Sequence, residues 1–203
     1  ACAPIRDYRG YLSGPDNFRY KIATLKPYKG NRDRSEEPTW RKDVEEWLLK
    51  EYPVERTQGY EADDRLAVEF TKDTKNTILA SLDKDFLQLP FLHMYRWDKG
   101  EHVHVKDVMS AARNFYKQLL TGDSTDNIPG VPDIGPAKAE KAIGKLVDPK
   151  VMMTVTYAMY QKAYGPKAWA ALEENARLIF LCRTEEHLAD PMTAWKPIIK
   201  PGL

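Results

Sequence analysis

Between residues 122 and 139 the chain reads G-D-S-T-D-N-I-P-G-V-P-D-I-G-P-A-K-A. No helix or strand of useful length can run through it. Its glycines free the backbone, its prolines remove donors, and its Asp and Asn side chains favour turns. The pattern on either side is helical, over 107–120 and 136–146. Two helices joined by a run of tight turns must form a hairpin here. Gly130 and Gly135 flank an apolar turn and would let the backbone approach a phosphate, which the amides opening the second helix can hold. Lys138, Lys141 and Lys145 share one side of that helix and could track a strand without reading its sequence. A helical hairpin with a solvated lysine face is the plain alternative.

Upstream the organisation differs. Gly10, Gly14, Pro15, Pro27 and Gly30 punctuate an irregular opening. Residues 39–51 predict a helix, with Thr39 as N-cap, Trp40, Val44, Trp47 and Leu48 at helical spacing, and Pro53 beyond its end. Trp40, Trp47, Trp169 and Trp195 are expected in a core or interface. A second helix covers 62–73, with Leu66, Ala67 and Phe70 on one side. The apolar run 76–82 suits a buried strand, and 91–105 suits one or two strands around a turn at Asp98-Lys99-Gly100. Beyond 106 only helices follow, so the chain divides into an α/β part, 1–105, and a helical part, 106–203.

Hydrophobic residues at 42% and charged ones at 30% exclude disorder. No apolar run approaches the ~18 residues of a membrane span. No basic segment followed by an apolar one marks a secretory signal. Cys2 and Cys182 provide neither a disulfide framework nor zinc spacing, so a reducing cytoplasm fits.

The net charge of +1 hides a split. Residues 1–34 carry eight Lys/Arg against three Asp, a net of +5, and residues 59–85 carry four against seven Asp/Glu, a net of −3. Basic segments attract polyanions and concentrated carboxylates attract cations. Three places hold paired acids: Glu61, Asp63 and Asp64 at the start of a helix, Asp83 and Asp85 after a strand, and Asp123 and Asp126 in the turn-rich stretch. Singly, each pair reads as helix capping or a turn. Together they would repel unless a cation neutralised them, and oxygen-only ligands favour Mg²⁺ or Mn²⁺. Two such ions can serve phosphodiester hydrolysis.

Four stretches carry a resemblance: P-Y-K-G-N-R (27–32), E-A-D-D (61–64), S-L-D-K-D-F-L-Q-L (81–89) and the run 122–139. In this order they resemble the 5′-nuclease family, the flap endonucleases and phage 5′–3′ exonucleases of the wider PIN-like group. The resemblance implies an α/β fold, a PIN-like parallel sheet flanked by helices, followed by a helix-three-turn-helix that grips duplex DNA. It implies metal ligands at Glu61, Asp63, Asp64, Asp83, Asp85, Asp123 and Asp126. It implies phosphate contacts at Lys29 and Arg32, with Arg19 as a basic residue of the same gateway. The implied reaction is Mg²⁺-dependent cleavage near a 5′ end, nick or flap of DNA, or of an RNA–DNA hybrid, by a monomer in phage or bacterial replication. The run Ala176–Cys182 resembles the closing helix of phage members.

Two departures accompany it. Family members open with an apolar strand ending in Asp, which the residues here do not include, so the α/β part is expected to be N-terminally incomplete and to lack one ligand. A second family Asp falls near Ser13 or Asp16. The short span from Arg32 to Trp40 leaves little room for a threading arch and favours an exonuclease working from ends or nicks. A DNA-binding module that has lost cleavage, and a PIN-like ribonuclease, are the alternatives. The helix-three-turn-helix argues against the second. His102-Val103-His104 would put two imidazoles on one strand face, with no third ligand evident. The N-terminal aromatics, Tyr28 among them, suit base stacking or packing equally.

Overall fold

The computed structural model describes residues 5–33 and 38–199. Its elements alternate and then become helical: β1 (Gly10–Leu12), α1 (Arg19–Ile22), α2 (Arg41–Glu51), β2 (Val54–Arg56), α3 (Ala62–Lys72), β3 (Leu79–Ala80), β4 (His93–Arg96), β5 (Glu101–His104), α4 (Val108–Thr121), α5 (Pro136–Ile143), α6 (Pro149–Tyr164), α7 (Ala168–Ile179) and α8 (Glu185–Ala189). The class is α/β, as expected. The sheet is smaller and is split in two. β1 pairs parallel with β2, β3 pairs parallel with β4, and β5 joins β4 antiparallel at an edge.

The apolar run 76–82 yields a strand of only two residues. Asp73 accepts hydrogen bonds from the backbone and side chain of Asn76, holding a turn before it. Ser81 Oγ accepts from Asp83 N at 3.1 Å, ending it. Ile78 and Leu82 are consequently exposed.

The predicted apolar face of α2 faces solvent. No residue of α2 is buried, and Trp40 is 71% exposed. Trp40 itself is the N-cap and no side chain, Thr39 included, caps the helix. Trp47 packs edge-on to Tyr52 at 4.9 Å between ring centroids. Trp195, by contrast, is buried as expected.

Two large cores and a small cluster of Val68, Cys182 and Leu188 form among the described residues, and all three cross residue 106. Phe115, Leu119, Ile143, Met152, Tyr160 and Leu172 from α4 to α7 pack with Tyr28 from the N-terminal segment. Phe70, Leu79, Phe86, Leu89 and Met94 pack with Ala111 of α4 and with Leu181.

Asp107 caps α4 by accepting from Ser110 N at 2.6 Å. The chain then turns repeatedly. Asp123 and Ile128 exchange backbone hydrogen bonds of 2.9 and 2.7 Å, and Val131 N donates to Leu120 O at 2.8 Å. Gly122 and Gly130 lie back to back at φ of +68° and +60°. A Cβ on Gly130 would sit 2.3 Å from Gly122 N, so only glycine fits. Gly135 is different: a Cβ there would meet nothing within 4 Å. α5 follows and stops at Ile143, before Lys145.

Candidate active site

The acidic residues first serve the local backbone. Asp64 reaches back one helical turn to accept from Glu61 N at 3.2 Å. Asp83 opens a 3₁₀ turn over Lys84–Gln88 and accepts from Asp85 N at 2.8 Å. Asp123 Oδ1 accepts from Thr125 N at 2.8 Å and Asp126 N at 3.3 Å. These are the capping roles that short polar side chains favour. The fold then gathers the capped turns from three parts of the chain.

The basic loop 27–32 joins them. Lys29 N donates to Asp126 O at 2.9 Å, Asn127 Nδ2 to Pro27 O at 2.8 Å, and Asn31 Nδ2 to Ser124 O at 2.7 Å. Lys29 (φ 55°) and Asn127 (φ 60°) both adopt the left-handed region at this junction, a cost the docking must offset. Lys29 Nζ pairs with Glu61, and Arg32 Nη2 pairs with Asp126 Oδ1 at 2.6 Å. Tyr28 Oη lies 2.8 Å from Glu61 Oε2 and 2.7 Å from Asp126 Oδ2. A phenol has one proton, so it donates to only one of them at a time. Tyr28 is a bridging residue, which its sequence context did not signal. Gln118 of α4 is another, donating from Nε2 to Asp85 Oδ1 at 2.6 Å.

Charge remains uncompensated at the centre. Asp63 accepts no hydrogen bond within the described residues. Burial, with Asp83, Glu61 and Asp64 nearby, pushes its carboxyl up to about 7. Burial, with Asp83 and Asp123, pushes Asp85 up to about 8. Asp83 is raised by burial and by Asp126 and Asp123, against a hydrogen bond from Asp85 N. Burial opposes ionisation of Asp123, yet Lys84 at 3.0 Å and two backbone amides hold it below the usual carboxylate range.

Glu61, Asp63, Asp83, Asp85, Asp123 and Asp126 thus form one charge-coupled, all-oxygen donor set, which fits a hard divalent cation. The set is spread out. Among the described residues, no three His, Cys, Asp or Glu side chains stand closed around one ion position. Lys29, Arg32 and Lys84 lie between the acids instead.

Arg19 and Asp64 depart from their expected roles. Asp64 is fully buried, and all four of its lone-pair positions are taken. Arg19 Nη1 and Nη2 donate at 2.6 and 2.9 Å, Cys182 N at 3.0 Å, and Glu61 N as above. Burial opposes ionisation, but Arg19 still holds this carboxyl low. Arg19 is equally buried and donates Nε to Leu178 O at 2.8 Å. Neither side chain is open to an ion or a phosphate. A buried acid one helical turn from an N-cap looks the same in sequence as an exposed one.

Ser13 Oγ, at the end of β1, accepts from Ala62 N at 2.9 Å, at the start of α3, whereas Asp16 is exposed. Gly130, Gly135, Lys138 and Lys141 sit in the turns and α5. Lys138 Nζ donates to Asp133 O at 2.8 Å, and Lys141 is exposed. The run Ala176–Cys182 is not wholly helical, because α7 ends at Ile179 and the rest is extended. The span from Arg32 to Trp40 includes residues 34–37, outside the described residues, as is Cys2. Cys182 is buried and unpaired. On the hairpin, His93 supplies the third imidazole the sequence did not reveal. Its register opposite His104 brings His93 Nε2 within 2.8 Å of His102 Nδ1. Among the described residues these imidazoles do not stand closed around one ion position.

No helix among the described residues is long and apolar enough to cross a membrane. No family model matches the chain. It is 35% identical over 107 residues to DNA polymerase I of Rhizobium leguminosarum, covering 47% of this chain and 10% of that protein. It is 32% identical over 124 residues to flap endonuclease Xni of Shewanella woodyi, covering 51% and 49%. The chain therefore spans from a tenth to about half the length of these relatives. The T5 D15 protein co-crystallised with metal ions shares its fold, with a TM-score of 0.62 at 20% identity over 91% of this chain and 78% of that one. In sequence the chain is thus similar, over about half its length, to a DNA polymerase I and a flap endonuclease Xni, and in fold to the T5 D15 protein.

Proposed function

We propose that this chain hydrolyses DNA phosphodiesters near a 5′ end, as a divalent-metal-dependent 5′–3′ exonuclease or flap endonuclease. One observation carries the reading. Acids from three separate segments converge on one charge-coupled cluster, and the basic loop 27–32 is hydrogen-bonded onto it. Glu61, Asp63, Asp83, Asp85, Asp123 and Asp126 would hold two Mg²⁺ ions, or Mn²⁺ in their place. Bound there, such ions activate water and neutralise charge building on the phosphate.

The chain's own residues do the rest. Lys29 and Arg32 are already held at the acids, so a phosphate arriving there meets two positioned cations. Tyr28 and Gln118 fix the orientation of Glu61, Asp126 and Asp85. The open backbone at Gly135, with Lys138 and Lys141, would grip the duplex by its phosphates. Products would carry 5′-phosphate and 3′-hydroxyl ends. The setting proposed is the cytoplasm, with a monomer acting on nicked or flapped DNA or an RNA–DNA hybrid.

The dispersed acids favour a second reading, a DNA-binding module without cleavage. A 5′-labelled nicked or flapped duplex separates the two, with Mg²⁺ against EDTA and with Asp85→Asn. Metal-dependent release of short 5′ products, lost in the variant, supports the nuclease. Binding at low salt without any cleavage supports the module.

A further inference from the structure

A cavity of about 340 Å³ lies where α4, the turn after β3 and the segment following α7 meet. Its lining includes none of the acidic cluster. One side is apolar, with Phe180 partly exposed and Phe115, Tyr116 and Trp195 buried behind it. Phe115 and Phe180 meet edge-to-face at 5.3 Å. The opposite character comes from Arg183, Lys196 and His187, and no carboxylate lines the cavity.

Arg183 is the unusual member. Its guanidinium lies 4.3 Å over the Phe180 ring and gives one hydrogen bond, from Nη2 to Gln88 O at 2.8 Å. Its Nε is buried and has no partner. No acid pairs with it among the described residues. Burial alone pulls its pKa down to about 10. Arg19, which is buried where Arg183 is partly exposed, has a bidentate carboxylate and two carbonyls. Burying a guanidinium without a counter-ion is costly, and folding gains nothing from leaving Nε unpaired. An anion at this point would supply both missing partners. Backbone–side-chain contact adds His187, whose Nδ1 accepts from Arg183 N at 3.2 Å and so keeps its ring turned to the same place.

We propose that this cavity binds a nucleoside monophosphate, with the phosphate on Arg183 and Lys196 and the base against the Phe180 side of the cavity. Arginine is suited to planar contact with phosphate oxygens, and aromatic rings stack on any base. The volume falls at the lower end of small-ligand sites, about 300–1,000 Å³, and admits one nucleotide but no duplex. The site does not depend on cleavage at the acidic cluster.

The test is calorimetric titration of the whole chain in EDTA, which prevents metal-bridged phosphate at the acids. Deoxyadenosine monophosphate should bind saturably, and deoxyadenosine and inorganic phosphate at least about tenfold more weakly. Arg183→Met should weaken the nucleotide at least about tenfold without lowering the melting temperature, since it removes an uncompensated buried charge. Lys196→Gln, at an exposed position, should weaken it without any change in melting. Asp85→Asn should bind as the parent does. Absence of saturable binding would overturn the proposal, as would unchanged affinity in both the Arg183 and Lys196 variants. Phosphate binding as tightly as the nucleotide would overturn the base-binding half.

Discussion

Replacing Arg19 by Met should unfold the chain more readily rather than impair chemistry. Arg19 donates to Asp64 twice, to Leu178 O and to Phe180 O at 3.3 Å, with almost no exposure. Without it, Asp64 keeps two backbone donors but remains an ion in a dry site. Breaking such a pair on one side costs about 3–5 kcal/mol. A chain of this size loses about 2–4 °C per kcal/mol, so the melting temperature should fall by about 6–20 °C. The contribution of Asp64 to the pH dependence should also change sign. In the parent the Asp64 pKa is depressed, so its stabilisation is present above the unfolded value of 3.8 and fades as pH falls through the lower folded value. In Arg19→Met burial acts unopposed and raises that pKa, so acidification should restore stability. Thermal melts followed by circular dichroism in EDTA, from pH 4 to 8, measure both effects. Arg19→Met with Asp64→Leu should recover part of the loss. An unchanged melting temperature with lost cleavage would refute the structural role and return Arg19 to the phosphate-contacting set.

Other outcomes follow from the same geometry. The raised values of about 7 for Asp63 and about 8 for Asp85 mean that the folded, metal-free chain retains protons that the unfolded chain releases near 3.8. Its melting temperature should therefore fall as pH rises from about 4 to about 8, and Mg²⁺ should restore more at pH 8 than at pH 6. Asp85→Asn keeps an acceptor for Gln118 while removing one repelling charge, so it should melt higher than the parent without metal at pH 8 and cleave nothing. Gly130→Ala should cost at least about 2 kcal/mol in denaturant titration, because it forces a side chain into the left-handed region against Gly122. Gly135→Ala should leave stability unchanged yet weaken duplex binding. Lys138→Gln and Lys141→Gln should each reduce the slope of log K against log salt by about 1, read by fluorescence anisotropy.

The turn-rich run was the most legible part of the chain, because Gly122 and Gly130 answer to local steric need that no distant contact alters. The hairpin at β4 and β5 was legible for the same reason. The acids were legible as a group but not by role. Glu61 and Asp64 are three residues apart on one helix, and only the arrival of Arg19 and Cys182 from 45 and 118 positions away turns one of them into a buried counter-ion. The α2 face misled, since helical spacing of Trp40, Val44 and Trp47 marks an apolar stripe without saying what covers it. Tyr28 and Gln118 gave no signal, because a bridging hydroxyl or amide is defined by what converges on it.

The junction of Arg19, Asp64 and the segment 178–182 also sets a timetable for assembly. Its hydrogen bonds close loops of 45, 118 and 159 residues. Contacts so distant in sequence form late, after the entropy of closing long loops has been met by other interactions. Chains fold from the N-terminus as they are synthesised. Arg19 precedes Asp64 and can meet it early, but the backbone partners at the end of α7, Leu178 O for Arg19 and Cys182 N for Asp64, are supplied only once that segment has emerged. The junction is thus among the last features of the molecule to be completed, and a nascent chain that stops before Leu178 would hold Arg19 and Asp64 without the backbone frame that orients them.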